Sequence, residues 1–142
     1  MNNEATSSAD ALGRLSGRTV RDFANIGIYA VTPEAPLGEV AWLMASNRVH
    51  AVLVTDDQAP EPPVIADADL IAAASSGHFD ELRARDIAAT EGVSVDEGES
   101  LARAAQLLAE HGVSHLVVRD RRRYPVGILS TLDLARAISG RR

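Results

Sequence analysis

The chain has 142 residues, a formal charge of −6, no cysteine, and fourteen basic residues that are all arginine. Without cysteine there is no disulfide, thiol chemistry or thiolate metal site, and without lysine no Schiff base, P-loop lysine or catalytic ammonium. The acidic balance argues against non-specific nucleic-acid binding, which needs a basic face to displace counterions.

An apolar fraction of 46% suits a globular domain of this length. No apolar run approaches the roughly 18 residues of a membrane span, and the start Met1-Asn2-Asn3-Glu4 does not read as a signal peptide. The default expectation is a cytoplasmic location.

Residues 1–17 are polar and read as a flexible tail, with a short helix around Asp10 to Leu15 and able to pack on a partner. A helical turn at Arg21-Asp22-Phe23 leads to a strand, Ile28 to Val31. Pro36 is placed for the first position of a helix, where its missing N–H has no intrahelical partner. Leu37, Val40, Ala41 and Met44 then form one apolar stripe at helical spacing. A strand at Ala51 to Thr55, a Pro-rich turn at Asp57 to Pro63, a strand at Val64-Ile65 and a helix from Asp67 to Ala74 follow. The polar segment Ser75 to Glu81 reads as a link. Beyond it the same elements recur, ending with strands at Leu116 to Arg119 and Val126 to Leu129 and a helix to Ser139.

The recurrence is ungapped at an offset of 64 residues. Val31, Leu37, Ala41, Leu43, Ala45, Val49 and Val54 return as Val95, Leu101, Ala105, Leu107, Ala109, Val113 and Val118. The alignment runs on to Asp69-Leu70 and Asp133-Leu134, and each copy opens on an Arg-Asp pair, Arg21-Asp22 and Arg85-Asp86. Two copies of β-α-β-β-α predict an α+β fold whose halves pack with pseudo-twofold symmetry, with a ligand in the cleft between them. The boundaries are a tail at 1–17, repeat one at 18–76, a linker at 77–83 and repeat two at 84–140.

The β-to-helix junction of repeat two reads Gly127-Ile128-Leu129-Ser130-Thr131-Leu132-Asp133. Gly127 lets backbone come close to whatever lies beside the strand. Ile128 and Leu129 make a buried strand, and Ser130 at its end can cap the helix or donate to a ligand oxygen. Asp133 lies one turn into the helix, where a carboxylate can accept two hydrogen bonds from a vicinal diol such as ribose. The helix N-terminus nearby favours a phosphate.

This junction, preceded by Val113-Ser114-His115-Leu116-Val117-Val118, resembles the cystathionine-β-synthase (CBS) domain family in the tandem arrangement called a Bateman module. The resemblance covers residues 18–140. It implies a regulatory rather than catalytic protein, two clefts, and adenosine-containing ligands with the motif Asp on the ribose hydroxyls. For the Asp133 cleft the resemblance adds Ala24, Gly27, Tyr29, Val49, His50 and Ala51 to Gly127, Ile128 and Ser130. Tyr29 would meet adenine and His50 a phosphate. The other cleft would take Asp69, Val64, Val93, Ser114 and His115. Copy one departs from the pattern there, because Pro63 and Ala66 replace the glycine and the hydroxyl, and Asp67 would repel phosphate. One good site is expected. With Leu132 before Asp133 and no lysine, AMP or S-adenosylmethionine is favoured over ATP.

The rival reading is a ligand-free homodimerisation or protein-interaction module. No cofactor is required on either reading, and no metal site is expected, since Gly112 separates His111 from His115. Trp42, aligned with Gln106 beside the apolar stripe, fits a homodimer contact or burial against the other half. Arg121-Arg122-Arg123 with Tyr124 falls at a hairpin tip. It reads as a solvated turn or inter-subunit contact, away from Asp133.

Overall fold

The computed structural model describes residues 4–55, 61–88 and 91–140. The chain divides into two compact units. Ile28–Gly92 forms the repeat-one unit, and Val93–Arg142 together with Met1–Gly27 forms the repeat-two unit.

In the repeat-one unit, strand β2 (Ala30–Val31) runs parallel to β3 (Ala51–Val54), which pairs antiparallel with β4 (Val64–Ala66). Helix α3 (Leu37–Asn47) connects β2 to β3, and α4 (Asp67–Ser75) follows β4. In the repeat-two unit the sheet order is β1 (Asn25–Ile26), β7 (Pro125–Ser130), β6 (His115–Arg119) and β5 (Ser94–Asp96). Helices α6 (Leu101–His111) and α7 (Thr131–Ser139) occupy the places of α3 and α4. The Pro-rich turn expected at Asp57 to Pro63 lies largely outside the described residues.

The two cores use the same positions. Val31, Leu37, Val40, Met44, Val54, Ile65, Leu70 and Ala73 are buried in one. Their counterparts Val95, Leu101, Ala104, Leu108, Val118, Leu129, Leu134 and Ala137 are buried in the other. Each core is completed by the other repeat's leading turn: Val20 of α2 (Val20–Phe23) enters the repeat-two core, and Ala84 of α5 (Ala84–Ile87) the repeat-one core. Backbone bonds fix both turns. The N–H of Val20 donates to the Glu99 carbonyl at 2.8 Å, and that of Ala84 to the Ala35 carbonyl at 2.8 Å. Arg21 to Glu97 and Arg85 to Pro33 repeat the equivalence, each at 2.9 Å. The aspartates of the Arg-Asp pairs explain themselves here. Asp22 accepts the Thr19 N–H and Asp86 the Arg83 N–H, so each satisfies a donor at the start of its helical turn.

Three sequence expectations need correction. Residues 4–16 are one helix, α1 (Glu4–Ser16), longer than the short helix expected at Asp10 to Leu15. It packs on α6 and α7 of its own chain, with Leu15 against the repeat-two core and the Arg14 guanidinium donating to the Ile138 carbonyl at 3.0 Å. The strand expected at Ile28 to Val31 is shortened to β2 (Ala30–Val31), and an unexpected strand β1 (Asn25–Ile26) precedes it, Gly27 at φ +102 turning the chain between them. Pro36 is the N-cap rather than the first helical residue: its ψ of 147 is extended, and its carbonyl accepts from Glu39 and Val40. The linker also holds a 3₁₀ turn, Phe79–Glu81, whose Phe79 packs on the repeat-one core.

Candidate functional site

The β7–α7 junction is built by packing. Gly127 faces Ile26 across the antiparallel pair. A Cβ at Gly127 would lie 2.4 Å from the Asn25 carbonyl oxygen and 3.2 Å from Ile26 Cα, so only glycine admits β1 beside β7. The neighbour that Gly127 makes room for is therefore the chain's own β1. Ile128 pairs with Asn25 on one side and Val117 on the other and is buried. The N–H of Gly27 donates to Val126 at 2.8 Å, and Ala24 closes α2 and packs on the repeat-two core.

At the end of β7, Ser130 and Asp133 form a reciprocal capping box. Ser130 Oγ accepts the Asp133 N–H at 3.3 Å. Asp133 Oδ2 in turn accepts the Ser130 N–H at 2.8 Å and the Ser130 hydroxyl at 3.0 Å. The other oxygen, Oδ1, accepts from the Arg136 guanidinium at 3.0 Å. Asp133 is 1% exposed, whereas Arg136 is 52% exposed. A buried carboxylate must be fully paired, and here three donors pair it. Arg136 was missed by the sequence reading, although its i,i+3 spacing from Asp133 signals a helical ion pair.

Copy one folds the same junction with fewer bonds. Asp69 Oδ2 accepts the Ala66 N–H at 2.8 Å, but Ala66 has no side-chain oxygen to return the bond. Asp69 is exposed. Val64 pairs with Leu53 in β4.

The other candidate residues divide between the units. Val93, Ser114 and His115 lie with Asp133 in the repeat-two unit. Val93 packs on its core, Ser114 Oγ lies 2.9 Å from His115 Nδ1, and His115 pairs with Ser130 across β6 and β7. Tyr29, Val49, His50 and Ala51 lie with Asp69 and Val64 in the repeat-one unit. Tyr29 is partly exposed and its carbonyl accepts the Leu53 N–H. Val49 packs on the core and Ala51 is buried opposite Ala66. His50 already has a partner: its Nδ1 lies 2.9 Å from Asp67 Oδ2, with both side chains exposed.

The arginine-rich turn sits at the far end of β7 from Asp133. Asp120 organises it, its Oδ1 accepting the N–H groups of Arg122 and Tyr124. Arg123 is left-handed at φ 70 and pairs with Asp96. A cavity of about 450 Å³ beside it is lined by four arginines and four carboxylates, a balanced wall rather than a phosphate clamp. Among the described residues, no three His, Asp or Glu side chains gather closely enough to hold a metal ion. None of the described helices is long and apolar enough to cross a membrane.

Two repeats with one β-α-β-β-α order, each closed by the other's leading turn, coincide with two matches to the CBS domain model, at residues 20–73 and 84–140. The chain belongs to the CBS domain family. The CBS domain-containing protein YhcV of Bacillus subtilis is 29% identical over 118 residues, covering 82% of this chain and 83% of that protein. A CBS domain protein from Pyrobaculum aerophilum, solved in complex with AMP, is 26% identical. It superposes with a TM-score of 0.71 over 86% of this chain and 95% of that one. A CBS domain pair solved with 5′-methylthioadenosine and S-adenosyl-L-methionine, 18% identical, has a TM-score of 0.72 over 87% and 97% of the two chains. The α+β fold of this chain is that of a tandem CBS pair.

Proposed function

We propose that this CBS pair is a regulatory module that binds an adenosine-containing ligand at the β7–α7 junction and performs no catalysis of its own. One observation carries the reading. Repeat two keeps the whole Gly127-to-Asp133 motif, folded as a strand-to-helix turn, and a 26% identical CBS protein is complexed with AMP. For a ribose to reach Asp133, the half-exposed Arg136 must release Oδ1, while Ser130 keeps Oδ2 and with it the helix cap. AMP-like ligands or S-adenosylmethionine are favoured over ATP, since no lysine stands by the motif and Leu132 precedes the aspartate. The module works as a homodimer and hands its signal to a partner protein. Exposed Trp42 and Ile71, each 68% exposed on helices of the repeat-one unit, support that association.

A thermal-shift screen with AMP, S-adenosylmethionine, ATP and NAD tests the reading. Ligand at 100 times its dissociation constant adds about 2.7 kcal/mol to stability, an easily measured rise. Asp133→Ala is expected to weaken binding of the hit by about 1.5–3 kcal/mol, the loss of a charge-assisted hydrogen bond. Unchanged affinity in that variant removes the ribose assignment.

The complete pairing of Asp133 within its own helix favours a second reading, a ligand-free association module. On that reading no adenosine compound shifts the melting curve, and Asp133→Ala lowers stability alone.

A further inference from the structure

The turn between β6 and β7 is held more firmly than a solvated turn needs. Arg121, Arg122 and Arg123 form a loop closed by two backbone bonds, the Arg123 N–H to the Asp120 carbonyl at 2.9 Å and the Asp120 N–H to the Tyr124 carbonyl at 3.0 Å. Hairpin loops of this length commonly end on a residue in the left-handed region, where glycine is the unstrained choice. Here that residue is Arg123, at φ 70. Its side chain pairs with Asp96, and the Arg119 guanidinium donates to its carbonyl. The Asp120 carboxylate accepts the N–H groups of Arg122 and Tyr124 at 2.9 and 3.0 Å. The loop therefore has its shape before anything meets it, and little ordering is left to cost affinity on contact.

This frame presents two guanidiniums that the fold does not use. Arg14, Arg83, Arg85, Arg103 and Arg136 each donate to a carbonyl or pair with a carboxylate of the chain. Arg121 and Arg122, neighbours at the tip, are exposed, and their guanidiniums have no such partner among the described residues. Tyr124, two residues on, is 63% exposed. Arginine and tyrosine dominate the energetics of protein interfaces, because each joins a flat contact surface to hydrogen-bond donors.

The surroundings of the tip select what it can hold. The crevice on the Arg121 side, of about 450 Å³, has as many carboxylates as arginines, among them Glu97, Glu99 and Asp120. A polyphosphate lying across the tip would run into those carboxylates, and it would meet a chain of net charge −6. A short acidic segment of a protein asks less. Two carboxylates can sit on the two guanidiniums in the two-pronged geometry that arginine and carboxylate share. The crevice is then left to a neutral or basic neighbour in the segment.

We infer that the β6–β7 tip is a docking point for an acidic segment of another protein, with Arg121 and Arg122 holding its carboxylates and Tyr124 packing on the residues between them. The inference rests on the reading above that the module hands its signal to a partner protein, and it names the surface and the partner's chemistry. The tip and Asp133 lie at opposite ends of β7, so ligand and partner have separate places.

Fluorescence anisotropy with a labelled hexaglutamate peptide tests it, with a labelled oligouridine alongside, both at about 0.05 M salt so that exposed charges are little screened. The unmodified chain should bind the peptide saturably and more tightly than the oligonucleotide. Arg121→Ser with Arg122→Ser should weaken the peptide about tenfold and Tyr124→Ala severalfold. The double variant should leave the melting temperature and AMP binding unchanged. Arg48→Gly, which removes an exposed arginine of the repeat-one unit, is the charge control and should leave peptide affinity unchanged. No binding of the peptide, tighter binding of the oligonucleotide, or an equal loss in Arg48→Gly overturns the inference. Light scattering without peptide checks one more occupant. If the unmodified chain self-associates and the double variant does not, the tip meets a second copy and the inference is overturned. AMP titration of the same samples keeps the two readings apart. Peptide binding without AMP binding supports the docking tip and removes the adenosine reading, and AMP binding without peptide binding does the reverse.

Discussion

Asp133 is held by three donors whose consequences differ. Ser130 contributes two from the same residue, so Oδ2 and the start of α7 form one unit that folding itself assembles. Arg136 contributes the third from a side chain that is 52% exposed to a carboxylate that is 1% exposed, so the pair is not a solvated surface bridge. The guanidinium is thus the occupant that a ribose diol would have to displace from Oδ1. Arg136→Ala should lower the melting temperature, because a buried carboxylate oxygen loses a donor at a cost of about 1–3 kcal/mol, and tighten binding of an AMP-like ligand about two- to fivefold, because one competing hydrogen bond is gone. Calorimetric titration of both proteins reads the difference. Weaker binding in the variant would mean that the guanidinium holds the ligand rather than competing with it.

At the scale of elements, the two repeats show what the same helix does with different caps. Helix α6 ends on Gly112 at φ 62 and ψ 34, and α3 ends on Arg48 at φ 54 and ψ 43. Glycine takes that left-handed position without strain, while a side-chain-bearing residue pays about 1 kcal/mol for it. Arg48→Gly should therefore raise stability by about 0.5–1 kcal/mol, the gain being trimmed by glycine's freedom in the unfolded chain. A higher urea midpoint with an unchanged slope is the expected signature. A lower midpoint would show that the Arg48 side chain contributes more than its backbone costs. The helices and strands of both repeats were legible because their apolar stripes recur at one offset and one phase. Strand β1 was not legible: Asn25 and Ile26 are both exposed and carry no alternation, and their place is set by the room that Gly127 leaves on β7. Helix α1 was undervalued because its sequence is polar and its anchors, Leu15 and Arg14, are meaningful only once α6 and α7 exist. For Ser130 the sequence offered cap and ligand contact as rivals. The cap is now visible in atoms, and Arg136 beside it could have been read from its spacing.

At the scale of the molecule, the exchange of leading turns separates sequence repeats from physical units. The first family match begins at residue 20, yet Val20 is wholly buried in the core built by residues of the second match. Ala84 makes the reciprocal contribution, so neither repeat has a complete core of its own. An alignment of the two copies cannot reveal this, because it reports equivalence of position and not which copy a turn serves. Val20→Ala removes two methyl groups from a fully enclosed site and should cost about 1–3 kcal/mol. Hydrogen exchange followed by mass spectrometry locates the loss. Protection should fall first in β5, β6 and β7, far along the sequence from the substitution, and remain in β2, β3 and β4. Ala84→Asp, which buries a charge in the other core, should reverse the pattern. If Val20→Ala instead loosens residues 28–55, the leading turn serves its own repeat and the exchange described above is wrong.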